Sequence, residues 1–481
     1  MTQSDSDKQQ QPTNANDQQP APEGSGGSNV TRRQFIGSTA AAGAAFAIVP
    51  SHVLGGPNKT APSDQLTFLQ IGCGGKGNKD RKEMLNQGAK LIGMCDPDKK
   101  RASGAFKNHP EVPKFDDYRK MLDKLADKAD AVTVTTPDHL HGVQAVSAVR
   151  RGLHAYVQKP LTRTYHEAEV LREEANRQGV VVQMGNQGHS GNGLKLWERM
   201  GEENAFGDIE SLHVWTARPG DWWPQGMDSR AESEPVPDHM SWDDWIGPQK
   251  HQPYSSAYAP FKWRGWWDFG CGAMGDMACH NADPAFWILN LGEPTEIRAK
   301  ASSPAGVAYP DWTIVEMDFP ATDKTGKPVT LTWYDGGKKP SKPEGAHPGL
   351  SLGGEGCMVV GKDMVAMGGS HAGTPRPIAI PGKEFGKPVK KAEKHWRNEL
   401  KKLSNDNHYA RFVNAIKAGD PSKASSEVNY AAPLTQAMLL GCIATRYPGK
   451  TLKWDSKKQQ FTNHSEANRW LTFNPQNGHR L

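Results

Sequence analysis

At 481 residues the chain is too long for one ordinary domain and points to two, with additional segments. A net charge of +5 is close to balance and excludes a strongly basic nucleic-acid binder. No run of about 18 apolar residues occurs, so an ordinary membrane-spanning helix is not expected.

Residues 1–30 are rich in Gln, Ser, Asn, Asp and Pro, a composition that predicts disorder. Arg32-Arg33-Gln34-Phe35-Ile36-Gly37 then leads into a mild Ala/Gly run ending near Val49. The layout resembles a twin-arginine export signal, which makes the export machinery a partner and the periplasm the expected location. No small-x-small cleavage site stands out, so retention as a membrane anchor stays open. This route carries folded proteins, which suits a cofactor inserted before export.

Residues 66–71 form a short apolar run, read as a buried strand. It enters Gly72-Cys73-Gly74-Gly75-Lys76-Gly77, a complete G-x-G-x-x-G, and then a helical pattern. In a dinucleotide site the first glycine allows a tight turn, the second admits a pyrophosphate, and the third lets helix and strand pack closely. The phosphates would rest on the free N–H groups of the helix N-terminus. A second apolar run, 89–95, ends in Asp96, nineteen residues after Gly77. That is the expected place for a carboxylate accepting from the ribose hydroxyls.

Strand candidates at 131–135, 154–157 and 180–184 alternate with helical patterns at 115–125 and 166–178. This is the grammar of a Rossmann, doubly wound parallel sheet. Beyond Gln187 the runs 209–217, 296–301, 313–319 and 329–334 lack helical spacers, which predicts an α+β domain with an open, mostly antiparallel sheet. The expected division is 1–56 for the disordered terminus and signal, 57–187 for the nucleotide domain, 188–452 for the substrate and oligomerisation domain, and 453–481 for a closing segment. Residues 342–401 are rich in Gly, Pro and Lys and are expected to hold long ordered loops, followed by helices at 408–417 and 429–446. Nine tryptophans fall between Trp215 and Trp287; most are expected in the core, while some could stack on a sugar ring. Six scattered cysteines are expected reduced and buried.

Three further pieces carry chemistry. Thr136-Pro137-Asp138-His139-Leu140-His141 follows a strand and places polar groups at the carboxyl end of the sheet, with Asp138 or Thr136 also able to cap the next helix. Gln158-Lys159-Pro160 sets a lysine at another strand end, where a base role would need desolvation or a neighbouring cation. In the Gly-rich stretch 269–283, Asp276 and His280 are four apart and share a helix face, an arrangement able to shuttle a proton from a hydroxyl. A surface ion pair or a two-ligand metal site is the alternative; no third ligand is evident, so no metal is expected.

Together these motifs resemble the Gfo/Idh/MocA oxidoreductases, over residues 66–452. The resemblance implies Lys159, Asp276 and His280 as the catalytic set. It implies Gly72, Gly74, Gly75, Gly77, Asp96, Thr136, Pro137, His141, Gln158 and Gln187 around the cofactor. The family usually has Glu-Lys-Pro, where this chain has Gln158; the change removes a negative charge beside Lys159. Residues 241–268 resemble exported members, with Tyr254, Arg264 and Asp268 as substrate-contact candidates. The implied activity is hydride transfer between a hydroxyl carbon of a sugar, cyclitol or sugar derivative and a tightly bound nicotinamide. Asp96 favours NAD, while Lys99, Lys100 and Arg101 leave NADP open. Two alternatives stand beside it: redox-neutral cleavage or elimination through a transient ketone, and a sugar-binding protein that carries NAD without turnover. The open sheet suggests a homo-oligomer.

Overall fold

The structure, a computed structural model, describes residues 65–481, so the twin-arginine stretch and the expected disordered terminus lie outside the described residues. Its first sheet contains β1 (Thr67–Ile71), β2 (Lys90–Cys95), β3 (Lys114–Phe115), β4 (Ala131–Val134), β5 (His154–Val157) and β6 (Val182–Met184). The spatial order is β3-β2-β1-β4-β5-β6, and every pairing is parallel. These strands are mainly apolar because helices cover both faces, so Leu69, Ile71, Val132, Val134, Ala155 and Val157 are all buried. Each large aliphatic side chain so buried contributes about 1.5–3 kcal/mol. The helix Tyr165–Gln178 shows how the crossovers are bounded. Thr164 and Glu167 form a capping box at its start, and Gly179 ends it in the left-handed region. The strand order reverses between β1 and β4, which opens a crevice at their carboxyl ends.

A second sheet holds β7 (Ile209–Thr216), β8 (Glu296–Ala301), β9 (Thr313–Phe319), β10 (Val329–Tyr334), β11 (Glu355–Gly361), β12 (Val365–Gly368), β13 (Arg376–Ala379), β14 (Thr451–Asp455) and β15 (Gln460–Phe461). Their order is β13-β12-β11-β7-β10-β9-β8-β14-β15, antiparallel except where β7 meets β10. Alternate residues Val315, Met317, Phe319, Leu331 and Trp333 are buried in one core cluster with the helices Gly272–Asn281 and Val428–Ala444.

Three readings of the sequence change here. Residues 342–401 hold three strands and the helix Lys387–Leu400 as well as loops. The strand β11 is a nearly continuous apolar run broken by glycines, which hid its periodicity. The helix His408–Ala418 packs on the first sheet, with Tyr409 stacked on Tyr156 at 5.0 Å and Phe412 beside them. The closing segment divides in two: β14 and β15 extend the second sheet, and residues 471–481 return to the first. Of the tryptophans between 215 and 287, Trp222 and Trp287 are exposed and the others are buried. All six cysteines are buried and unpaired.

Candidate active site

A cavity of about 360 Å³ lies at the β1–β4 crevice and reaches across to the helix Gly272–Asn281. Its floor at one end is the glycine loop. Gly72 has φ +86°, and a Cβ there would sit 2.2 Å from the Thr135 carbonyl oxygen. Gly77 lies below the cavity, where a Cβ would meet the Gly72 carbonyl at 2.1 Å, so its absence lets the helix Lys76–Asn86 pack on β1. Gly74 and Gly75 line the cavity, and the Arg101 side chain lies against both. Asp96 also lines it. Its carboxylate accepts from the N–H of Cys73 at 2.8 Å and of Asp98 at 2.9 Å, while burial pushes it up to about 6. It is therefore still mainly ionised at neutral pH.

Thr136, Pro137, Gln158 and Gln187 line the cavity as well. The Gln158 amide donates to the buried Asp80 carboxylate at 2.9 Å, and Asp80 also accepts from Thr135 and Tyr409. A glutamate at 158 would set a second carboxylate against Asp80, which gives this departure from Glu-Lys-Pro a physical reason. His141 does not reach the cavity. Both its ring nitrogens face backbone carbonyls, of Thr136 and Pro160, each at 2.8 Å, and burial lowers it to about 4. It braces the turn. Asp138 caps nothing with its side chain at the start of its own helix; its carboxylate accepts from the Cys271 N–H at 3.1 Å and ties the turn after β4 to the glycine-rich stretch 269–283.

At the far end, Lys159 donates to the Asp276 carboxylate at 2.7 Å and to its backbone carbonyl at 2.8 Å. Arg264 and Arg218 donate to the same carboxylate at 3.0 and 2.6 Å. Burial alone would raise Asp276, but Lys159, Arg264 and Arg218 outweigh it and hold the carboxyl well below the usual range. The sequence motif paired Asp276 with His280. Among the described residues no hydrogen bond joins them: Asp276 is given to three cations, and His280 instead stacks on His371 with ring centres 4.0 Å apart. Burial, then Lys159 and His371, push His280 far below its ordinary value, so it is neutral at working pH. Its Nδ1 is buried without a partner.

His371 and Ala372 both occupy the left-handed region, at φ 59° and 52°. Two such residues in succession store strain of the order of 1–3 kcal/mol each, which commonly marks a functional turn. The turn is pinned to the helix Gly272–Asn281 by the Ala372 N–H on the His280 carbonyl and by the His371 N–H on Asn281. Two of the proposed substrate contacts lie elsewhere. Tyr254 is packed into an aromatic cluster against Trp242, and Asp268 pairs with Arg230 at 2.7 Å and lines a separate cavity. Packing of the aromatic-rich loop takes Tyr254 inward, whereas Asp268 stays partly exposed and turns away from the main cavity toward Arg230.

The residues missed in the sequence are Arg218, His371 and His479. Arg218 follows β7 closely, so its strand-end position was a usable signal. His479 carried none. It is 361 residues from Tyr118, yet the two hydrogen-bond at 3.0 Å, and His479 lines the Asp96 end of the cavity. Asn477 anchors this segment on the Gly247 and Gln249 carbonyls and accepts from Arg119.

Residues 66–186 match a family model described as the oxidoreductase family, NAD-binding Rossmann fold. Residues 220–324 match the C-terminal α/β domain of the same family. Both segments thus match domains of the Gfo/Idh/MocA oxidoreductase family. Among curated Gfo/Idh/MocA relatives, scyllo-inositol 2-dehydrogenase (NAD(+)) of Bacillus subtilis is 30% identical over 123 residues, 25% of this chain and 35% of that protein. A 2,7-anhydro-N-acetylneuraminate hydratase of Mediterraneibacter gnavus is 23% identical over 157 residues, 32% of this chain and 39% of that protein. The chain therefore spans little more than a third of the curated relatives it matches. The WlbA dehydrogenase from Bordetella pertussis, solved with NADH and UDP-GlcNAcA, shares the fold with a TM-score of 0.55 and 17% identity, over 81% of this chain and 98% of that one.

Two predictions arise here. Burial pushes Asp138 up to about 7, against the pull of Arg264 and Lys159. Below the ordinary carboxyl range of about 4 both folded and unfolded chains hold this proton and there is no penalty. As pH rises from there toward 7, only the unfolded chain releases it, so the folded state loses stability. Asp138→Asn keeps an acceptor for Cys271 and removes the titration. Its melting temperature relative to the parent is expected to improve between pH 4 and pH 8; a constant difference across that range would contradict the assignment. Removing residues 474–481 is expected to leave the fold intact and to speed release of any bound nucleotide by at least about tenfold, or about 1.4 kcal/mol. Nucleotide retention equal to the full chain would show that the segment does not hold the ligand.

Proposed function

We propose that this protein is an NAD(P)-dependent oxidoreductase acting on a CH–OH group of a sugar, cyclitol or sugar derivative. The observation that carries the reading is that Lys159 and His280 face the same cavity as Gly72, Gly74 and Asp96. The glycine loop fits a dinucleotide, since a Cβ at Gly72 would close the turn and the N-terminus of the helix Lys76–Asn86 points to that loop. Asp96 would receive the ribose hydroxyls and disfavour a 2′-phosphate, which supports NAD over NADP. Arg101 would neutralise phosphate charge. Thr136, Pro137 and Gln187 would line the remaining wall. When bound, the nicotinamide supplies the hydride acceptor or donor.

His280 is the base. Kept neutral by burial and by Lys159, it accepts the hydroxyl proton as the substrate is oxidised. Lys159, fixed by two hydrogen bonds to Asp276, presents positive charge to the same oxygen. Asp276 acts through Lys159 and is a positioning residue.

One observation favours redox-neutral chemistry as the second reading: a second imidazole, His371, stands beside His280. Elimination next to a transient ketone needs an additional acid or base, and His371 is placed to be it. The similarity to a hydratase is consistent with this reading. We further propose export through Arg32-Arg33, and self-association through the polar face of the second sheet.

The test follows a carbon-bound hydrogen label from a panel of sugars and cyclitols into nucleotide-loaded protein. Label transfer with a net change in nicotinamide absorbance is the expected dehydrogenase result. Transfer with no net change indicates the redox-neutral cycle. No transfer from any member contradicts both.

A further inference from the structure

Arg218 and Arg264 are not needed for the dinucleotide, whose phosphates are served at the other end of the cavity by the helix N-terminus and Arg101. Both line the cavity beside Lys159. Each spends part of its guanidinium on Asp276, and Arg218 also reaches Glu355 at 3.1 Å. Three cations thus contact two carboxylates. Among the described residues, the two Nη groups of Arg264 and the Nη2 of Arg218 find no protein acceptor within hydrogen-bond reach.

Aromatic rings hold these forks in place. The Arg264 guanidinium lies 4.1 Å from the Trp263 ring centre and 5.1 Å from that of Phe261. Arg218 lies 4.5 Å from Trp222, which is itself 57% exposed. Stacking on aromatic faces leaves the planar donor edges open: Arg264 keeps both Nη groups, which match carboxylate or phosphate oxygens in a two-point contact, and Arg218 adds the single donor Nη2.

We propose that Arg218 and Arg264 receive an anionic substituent of the substrate, so that the protein acts on a sugar acid or a sugar phosphate in preference to a neutral sugar. The inference rests on the sugar-oxidoreductase reading above and names the substrate class of that same cavity. The anionic group would sit on the free Nη edge while the reacting hydroxyl faces His280 and Lys159.

The test titrates the full chain with matched sets, glucose, glucuronate and glucose 6-phosphate, then galactose, galacturonate and galactose 6-phosphate, reading tryptophan fluorescence. In at least one set the charged member is expected to bind on the order of tenfold more tightly than the neutral one. The advantage should shrink at high salt, disappear in Arg264→Gln and survive in part in Arg264→Lys, which keeps the charge without the fork. A preference for the uronate assigns a carboxylate, and one for the 6-phosphate assigns a phosphate ester. Equal binding of charged and neutral members in every set, no binding by any, or an advantage that persists in both Arg264→Gln and Arg218→Gln overturns the proposal. Nucleotide content is measured on the same samples. A protein that neither carries nor takes up NAD or NADP yet shows a clear anion preference would sink the oxidoreductase reading alone, whereas a nucleotide-binding protein without one would sink this inference alone.

Discussion

His280→Ala is expected to slow hydride transfer by about 10²–10⁴-fold while leaving nucleotide retention unchanged. The imidazole is 3% exposed, faces the cavity and makes no hydrogen bond with Asp276. Truncation removes the base and leaves the three cations around Asp276 in place, so cofactor binding has no reason to weaken. Single-turnover nicotinamide absorbance would read the loss. The pH profile provides a second check. A base held far below the ordinary histidine range stays unprotonated as pH falls, so the rate of substrate oxidation should show no acid limb near pH 6.5. Linkage gives the matching stability effect. A histidine lowered by folding contributes stability above its ordinary value, and that contribution is lost as pH falls from about 6.5 toward the folded value. The His280→Ala protein should therefore be less acid-sensitive in melting temperature than the parent. Near-parent turnover, or a limb at 6.5 that persists in the variant, would transfer the base role to another group.

Asp276→Ala should produce the largest loss of stability. The carboxylate is 3% exposed and joins Lys159, Arg218 and Arg264 at 2.6–3.0 Å. Removing it leaves three partly buried cations facing one another, and breaking such a cluster costs about 3–5 kcal/mol. Lys159 would also lose its fixed position, so turnover should fall with stability. Denaturant unfolding of nucleotide-free protein measures the first effect. Pairing Asp276→Ala with Arg264→Gln should restore part of the loss, because the double variant contains one fewer unpaired charge. Strict additivity of the two changes would show that they do not interact.

Much of the first sheet is legible in the sequence because its strands are short, apolar and separated by helical periods. The predicted strands 66–71, 89–95, 131–135, 154–157 and 180–184 all appear within two residues or so of β1, β2, β4, β5 and β6. Lys159, Asp276 and His280 are legible through motif order, and the structure brings them to one cavity. Their partnerships are not. The spacing of four between Asp276 and His280 places them on one helix face, but Arg218 and Arg264, distant in sequence, win the carboxylate. His371 lay hidden in a stretch whose glycines mask three short strands, and His479 reaches the cavity by a return path that no local pattern encodes. Tyr254 and Asp268 show the converse. An aromatic-rich loop beside a catalytic motif looked like a substrate surface, yet packing among Trp242, Trp245 and Phe269 turns much of it into core.

The proposed chemistry depends on a dinucleotide held against Lys159 and His280. Its most direct test is to purify the protein, denature it and identify what is released. About one equivalent of NAD per chain is expected, retained through purification with His479 lining the Asp96 end of the cavity. A protein that neither carries nor binds NAD or NADP would contradict it.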